Sequence, residues 1–224
     1  MAKEILVEDI PKIKNLLSTV FESDDYADIS RMGGLTNHTY KITLKNGKDY
    51  VVRIPGEGTE EMIVRSDEMI STKLACDLGI DAEMLYFGKD GSKVTRYIPN
   101  AITMSSELLR NDKHIKQVAD IFKKLHSCGF DTGVPFEVFE MAEGYEKIIF
   151  EKNVPMFDDY AEKKAEVMQI KNEVDSTTEI KKVPCHNDSL CENWVEGDGR
   201  MYLIDWEYAG MNDGMWDVAD VSIE

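Results

Sequence analysis

His186, Asp188 and Asn193 fall within one short stretch, Lys-Val-Pro-Cys-His-Asn-Asp-Ser-Leu-Cys-Glu-Asn-Trp (182–194). Asp205 follows at the end of an apolar run in Tyr-Leu-Ile-Asp-Trp-Glu-Tyr (202–208). A carboxylate, an amide and a second carboxylate on two neighbouring turns are what ATP-dependent phosphoryl transfer uses. One carboxylate takes the proton of an attacking hydroxyl, while the amide and the other carboxylate hold Mg²⁺ on the phosphates. Asp188 and Asn193 are five apart, so one short loop can aim both at a single point. Asp188 is therefore the candidate base, and Asn193 and Asp205 are the candidate Mg²⁺ ligands. His186 reads as structural, its ring bonding nearby backbone. A loop of this composition without chemistry is the alternative, and Asp205 arriving twelve residues after Asn193 argues against it. Glu207 could assist the metal or face a substrate. Asp217, in Gly-Met-Trp-Asp-Val-Ala-Asp, reads as a buried acceptor that ties down the 186–193 loop, and Asp220 has no role assignable from sequence.

Two further segments could hold phosphates. Met-Gly-Gly-Leu-Thr-Asn (32–37) lies between strand-like runs. Gly33 and Gly34 would let the backbone approach phosphate oxygens, with N–H groups near Leu35 as donors and Thr36 and Asn37 adding side-chain bonds. A plain hairpin is the alternative. Arg53, in Tyr-Val-Val-Arg-Ile-Pro, is a lone cation among β-branched residues and must be paired or reach a ligand. Glu68 is the expected partner and Glu61 the competitor, which would give the cation–Glu pair that positions phosphates in kinase folds. A surface arginine on an edge strand is the other reading.

The elements that must position these groups follow from periodicity. Residues 7–20 carry apolar residues at helical spacing, with Asp9 as a candidate cap. Asp24, Asp25 and Asp28 mark a turn. His38–Leu44 and Tyr50–Ile54 flank Asn46-Gly47, the strongest short-range hairpin signal. A helix from about Glu60 to Leu78, closed by Gly79, precedes strands near Met84–Phe87 and Val94–Ile98. Beyond Pro99-Asn100 the pattern turns helical. Residues 113–127 place Ile115, Val118, Ile121, Phe122 and Leu125 on one face, and 136–151 and 157–174 read as helices too. Strands return at 182–185, 194–196 and 201–205, and a helix starts at Gly214. The predicted architecture is α+β with two lobes: a strand-rich nucleotide-binding lobe over 1–98 and a mainly helical catalytic lobe over 99–224.

The chain has 224 residues, 42% hydrophobic and 31% charged, with a formal net charge of −17. That balance describes a globular protein and disfavours nucleic acid or anionic lipid as partners. The N-terminus lacks the apolar core of a signal peptide, and no apolar run approaches the roughly 20 residues of a membrane span, so a cytoplasmic location is expected. Cys76, Cys128, Cys185 and Cys191 contain no CxxC pair and are expected to be reduced thiols. Cys185, His186 and Cys191 fit no common zinc spacing.

Together, Gly-Gly-Leu-Thr-Asn-His-Thr-Tyr (33–40), Val-Val-Arg-Ile-Pro-Gly (51–56), His-Asn-Asp-Ser-Leu-Cys-Glu-Asn (186–193) and Ile-Asp-Trp-Glu-Tyr-Ala-Gly (204–210) resemble the choline/ethanolamine kinase family, and its bacterial choline kinase branch in particular. That family sits within the aminoglycoside-phosphotransferase-like and protein-kinase-like superfamily. The resemblance implies a protein-kinase-like fold, ATP and Mg²⁺, and transfer of phosphate to choline. It implies adenine near Tyr97 and Ile98, phosphates at Arg53 and the 33–37 loop, Asp188 as base, and Mg²⁺ on Asn193 and Asp205. A trimethylammonium group offers no hydrogen-bond donor, so its recognition needs aromatic faces and diffuse negative charge. Tyr208, Trp206 or Trp216 could supply the faces and Glu207 the field, with core packing an equal reading for Trp216. Family members continue past Val-Ser-Ile-Glu with helices that supply much of the cage. The resemblance thus implies a C-terminally truncated chain, in which ATP-site chemistry is better represented than choline binding. An aminoglycoside or other small-alcohol kinase, and an ATP-binding module without turnover, are the alternatives.

Overall fold

The computed structural model describes residues 4–32, 37–58 and 63–223. A 3₁₀ turn at Val7–Asp9 leads into α1 (Ile10–Phe21), which packs on a five-stranded antiparallel sheet. The sheet is built from β1 (Tyr26–Arg31), β2 (Asn37–Leu44), β3 (Asp49–Pro55), β4 (Met84–Phe87) and β5 (Lys93–Arg96), in the order β1-β2-β3-β5-β4. Strict alternation in β2 puts Tyr40, Ile42 and Leu44 on one face, where they meet Ile13 and Leu17 of α1 and Val52, Ile54 and Val94 of the neighbouring strands. The β2–β3 turn closes as predicted: Gly47 adopts φ +78°, and Asn46 Oδ1 accepts the Lys48 N–H at 3.0 Å.

Two readings at this end are corrected. Asp9 does not cap α1; its buried carboxylate accepts the Tyr40 hydroxyl and pairs with His38 Nδ1, each at 2.7 Å. Asp28 lies within β1 rather than in the turn marked by Asp24 and Asp25.

The helix α2 (Arg65–Asp77) sits between β3 and β4 in sequence, but its Ala75, with Ile80 just beyond, packs into a second core. That core gathers Val118, Phe122 and Leu125 of α4 (Asp112–His126), which follows the short α3 (Ser106–Leu109). It also holds Trp194, Met201 and Leu203 from β8 (Trp194–Gly197) and β9 (Arg200–Leu203), and Trp206 beyond them. Ile115 is the exception to the predicted stripe: it is 52% exposed, because its position on α4 falls outside the arc that faces this core.

Two strands have no signal in the sequence. β6 (Ile102–Thr103) pairs with β8, and β10 (Gly210–Asp213) pairs with β7 (Lys182–Cys185), with β8 and β9 lying between them in the chain. The helices α5 (Val138–Glu151) and α6 (Tyr160–Thr177) bury no residue among those described, and α7 (Gly214–Ser222) is capped by Asp213, whose side chain accepts the Met215 N–H at 3.0 Å. No helix among the described residues is long and apolar enough to cross a membrane.

Candidate active site

The loop between β7 and β8 is held from three sides. Asp217 of α7 is fully buried and accepts two successive backbone N–H groups, from His186 at 3.0 Å and from Asn187 at 2.8 Å. His126 at the end of α4 bonds the same carboxylate at 2.8 Å. This is the tie predicted for Asp217. Asn187 takes φ +67°, a left-handed conformation that costs a non-glycine residue energy and needs its surroundings to enforce it. Those surroundings engage its side chain and its carbonyl. Its Nδ2 donates to the Tyr208 carbonyl at 3.0 Å, its Oδ1 accepts from Asn212 Nδ2 at 2.9 Å, and its carbonyl accepts the Trp216 indole N–H at 3.4 Å. Further along, the Ser189 N–H donates to Asp220, which gives that residue a role the sequence did not offer.

His186 behaves as predicted from sequence. Its ring is buried, bonds the Ile204 carbonyl through Nε2 at 2.9 Å, and meets Trp206 edge-on at 4.7 Å. A carbonyl only accepts, so Nε2 carries the proton. This bond fixes the 186–193 loop to the segment that delivers Asp205. A second link runs from the Ile204 N–H to the Asn193 carbonyl at 3.0 Å.

Asp188 stays half-buried at the loop's tip. Asn193 Nδ2 donates to the Asp188 backbone carbonyl at 2.8 Å and to its carboxylate at 3.3 Å, which turns the Asn193 side-chain oxygen away from Asp188. Burial pushes the Asp188 carboxyl above its ordinary value; His186 opposes this, and the Asp220 and Asp205 carboxylates add to it. Asp205 itself takes φ +68°, a second non-glycine residue in the left-handed region.

Across the cleft, Arg53 on β3 contacts Glu68 of α2 at 2.5 Å and Asp205 at 3.6 Å, and donates from Nη2 to the Gly91 carbonyl at 2.8 Å. The predicted Arg53–Glu68 pair is present and both partners are buried. Burial works against the Glu68 carboxylate, but Arg53, Lys93 and Arg65 together hold it below its ordinary value.

Three charged residues join this cluster without having been expected from the sequence. Lys93 on β5 is buried 3.6 Å from Glu68. Arg65 opens α2 and contacts Glu68 at 2.6 Å and Glu207 at 3.3 Å. The i,i+3 spacing of Arg65 and Glu68 is the sequence signal for that contact. Asp81 is buried near the Lys93 charge, and burial pushes its carboxyl up to about 6.

A cavity of about 230 Å³ adjoins this cluster, lined by Val51, Tyr97, Ile98, Val195 and Ile204 as well as Arg53 and Asp205. Its apolar walls and charged end suit a purine with its phosphates. Asp81 and Asp205 line this cavity together with the cations Arg53, Lys93 and Arg96, and Glu68 and Glu207 pair with Arg53 and Arg65 beside it. The oxygen donors of Asn193 and Asp205 fit a hard divalent cation such as Mg²⁺.

Other predicted site residues land elsewhere. Gly33, Gly34, Leu35, Thr36 and the competitor Glu61 lie outside the described residues. Asn37, at the loop's end, is buried and donates to Glu207 at 3.2 Å. Trp206 cannot present its ring to a ligand: it is 1% exposed, with its indole N–H on the Leu203 carbonyl at 3.1 Å. The Glu207 side chain is only 7% exposed and is engaged by Asn37 and Arg65. Tyr208 is half-buried, and its hydroxyl is pushed up to about 12 by burial and then by the nearby Tyr145, an aromatic on α5 that the sequence did not single out.

The family model for choline/ethanolamine kinases matches residues 29–224. Protein LicA of Haemophilus influenzae is 30% identical over 194 residues, covering 86% of this chain. The chain spans 56% of the length of that relative. The crystal structure of choline kinase LicA from Streptococcus pneumoniae superposes with a TM-score of 0.84 at 33% identity, covering 96% of this chain and 74% of that one; a LicA complex with AMP gives 0.83. The ADP-bound aminoglycoside phosphotransferase APH(2'')-Ib, at 17% identity and a TM-score of 0.65, covers 95% of this chain and 74% of its own and shares the protein-kinase-like α+β fold. With its charged cluster and loop geometry, the chain belongs to the choline/ethanolamine kinase family.

Proposed function

We propose that this chain carries out ATP- and Mg²⁺-dependent phosphoryl transfer to the hydroxyl of a small amino alcohol, choline before ethanolamine, in the cytoplasm. Residues 1–98 would act as the nucleotide lobe and 99–224 as the catalytic lobe. The observation that carries this reading is the convergence of Asp188, Asn193 and Asp205 on one side of a cleft whose other side holds the Arg53–Glu68 pair.

In this reading the purine fills the cavity beside Tyr97 and Ile98, and its phosphates run toward Arg53 and the 33–37 loop. Asn193 and Asp205 would hold Mg²⁺, which when bound neutralises charge on the phosphates and leaves the γ-phosphorus open to attack. Asp188 accepts the hydroxyl proton of the amino alcohol as that oxygen bonds to the γ-phosphorus. The bond between the γ-phosphorus and the β,γ-bridging oxygen breaks, and ADP leaves. A carboxylate made more basic by burial suits this task.

Choline is favoured because the aromatic Tyr208 and the net negative surroundings of Asp188 suit a cation without donors. The LicA relative described as a choline kinase supports the same substrate. A panel of choline, ethanolamine and kanamycin, read by ADP release, tests this. Turnover with choline exceeding ethanolamine, and none with kanamycin, is expected; kanamycin as the preferred acceptor would overturn it.

A further inference from the structure

Arg65 is placed where helix physics disfavours it. It is the first residue of α2, so its positive charge faces the positive end of the helix dipole, and its side chain is only 8% exposed. Compensation comes from two carboxylates, Glu68 one turn on at 2.6 Å and Glu207 at 3.3 Å, 142 residues away. Gly91 is shaped to admit it: φ is +86°, and an added Cβ would come within 2.5 Å of the Arg65 side chain.

These contacts close a circuit of alternating charge. It runs from Asp205 to Arg53 at 3.6 Å, Arg53 to Glu68 at 2.5 Å, Glu68 to Arg65 at 2.6 Å and Arg65 to Glu207 at 3.3 Å. The backbone 205–207 completes it. Asn37, at the end of the glycine loop, hangs on the same Glu207 oxygen at 3.2 Å. Glu207 therefore faces the first half of the chain. Its side chain is spent on Arg65 and Asn37, with almost none of its surface left for an acceptor molecule.

We propose that Arg65 and Glu207 are positioning residues, a clasp between α2 and the Asp205 turn that sets Arg53 and Asn37 at the phosphate end of the nucleotide. This rests on the proposed phosphotransfer reading and replaces a direct role for Glu207 on the amino alcohol. A clasp of this kind acts on the nucleotide side of the reaction and leaves acceptor recognition alone.

The test is a double-mutant cycle on the full chain with Glu207→Gln, Arg65→Gln and both together, plus Arg65→Lys. Mg-ADP affinity is read by calorimetry and KM for ATP and choline by steady-state kinetics. Each single Gln variant is expected to weaken Mg-ADP about tenfold, the double to be no worse than the weaker single, and Arg65→Lys to recover part of the loss. KM for choline stays within about twofold of wild type, since the clasp contacts no acceptor group. Additive losses, or a rise in KM for choline with Mg-ADP affinity unchanged, would overturn the clasp. If thermal melting shows Arg65→Gln unfolded, Arg65→Lys combined with Glu207→Gln supplies the cycle. Absence of transfer to any amino alcohol by the wild-type chain would remove the proposed function, and the Mg-ADP cycle would still decide the clasp.

Discussion

The carboxylate of Asp217 accepts the backbone N–H of Asn187 at 2.8 Å, joining the last helix to a loop residue held at φ +67°. Asn187 immediately precedes Asp188, so this bond aims the candidate base. The neighbouring His186 N–H and the His126 ring share the same carboxylate, which makes Asp217 the hub on which the loop's left-handed turn depends.

Asp217→Asn keeps the side-chain shape but replaces one oxygen by a donor that faces His126 or a backbone N–H. The expected result is a loss of about 2 kcal/mol in stability, the usual size for a buried charge-assisted bond. A fall in kcat of at least about tenfold should accompany it as Asp188 loses its aim, with KM for ATP little changed. Thermal unfolding and steady-state kinetics on the same preparation check both parts.

Arg53→Lys retains a cation near Glu68 but gives up the bond to the Gly91 carbonyl, because an ammonium cannot span both partners as a guanidinium does. KM for Mg-ATP is expected to rise about tenfold, the cost of one charge-assisted contact. An unchanged KM for ATP would place the phosphates elsewhere.

Asp81 gives a pH dependence with a definite sign. Burial holds its carboxyl at about 6 in the folded chain, above the ordinary 3.8, so folding favours its protonated form. That contribution to stability is fully present below about 4 and is lost as pH rises through about 6. Asp81→Asn retains an acceptor for the Ala82 N–H while removing the buried charge. Relative to wild type, the variant should gain on the order of 1–3 kcal/mol at pH 7.5 and much less at pH 4.5. Denaturant melts at the two pH values read the difference, and an equal effect at both would refute the assignment.

Local spacing in the sequence makes much of this site legible. The Asn46-Gly47 hairpin, the Asp188–Asn193 interval and the Arg53–Glu68 pair each depend on a few neighbouring residues or on one strand and the helix after it. Asp217 is readable because a buried aspartate near the loop needs donors. What escapes depends on distance along the chain. Arg65 meets Glu207 across 142 residues, and β10 finds β7 only once the fold brings Gly210 beside Cys185. Lys93 looks in sequence like any strand lysine, and only its burial beside Glu68 marks it out. Ile115 and Trp206 depart from expectation for a related reason: a helical or aromatic position says that a side chain packs, but not which side of the core it meets.

Every step proposed for this cleft depends on Asp188 as the base, and Asp188→Asn tests it with the least disturbance, since the amide keeps the side chain's shape. Transfer of labelled phosphate from ATP to choline should fall by about 10²–10⁴-fold, the usual contribution of a positioned general base. Mg-ADP affinity measured by calorimetry on the same protein should stay within about twofold, because Asp188 is assigned to the acceptor's proton and Asn193 and Asp205 to the metal. Undiminished transfer by Asp188→Asn, with nucleotide affinity intact, would contradict that role.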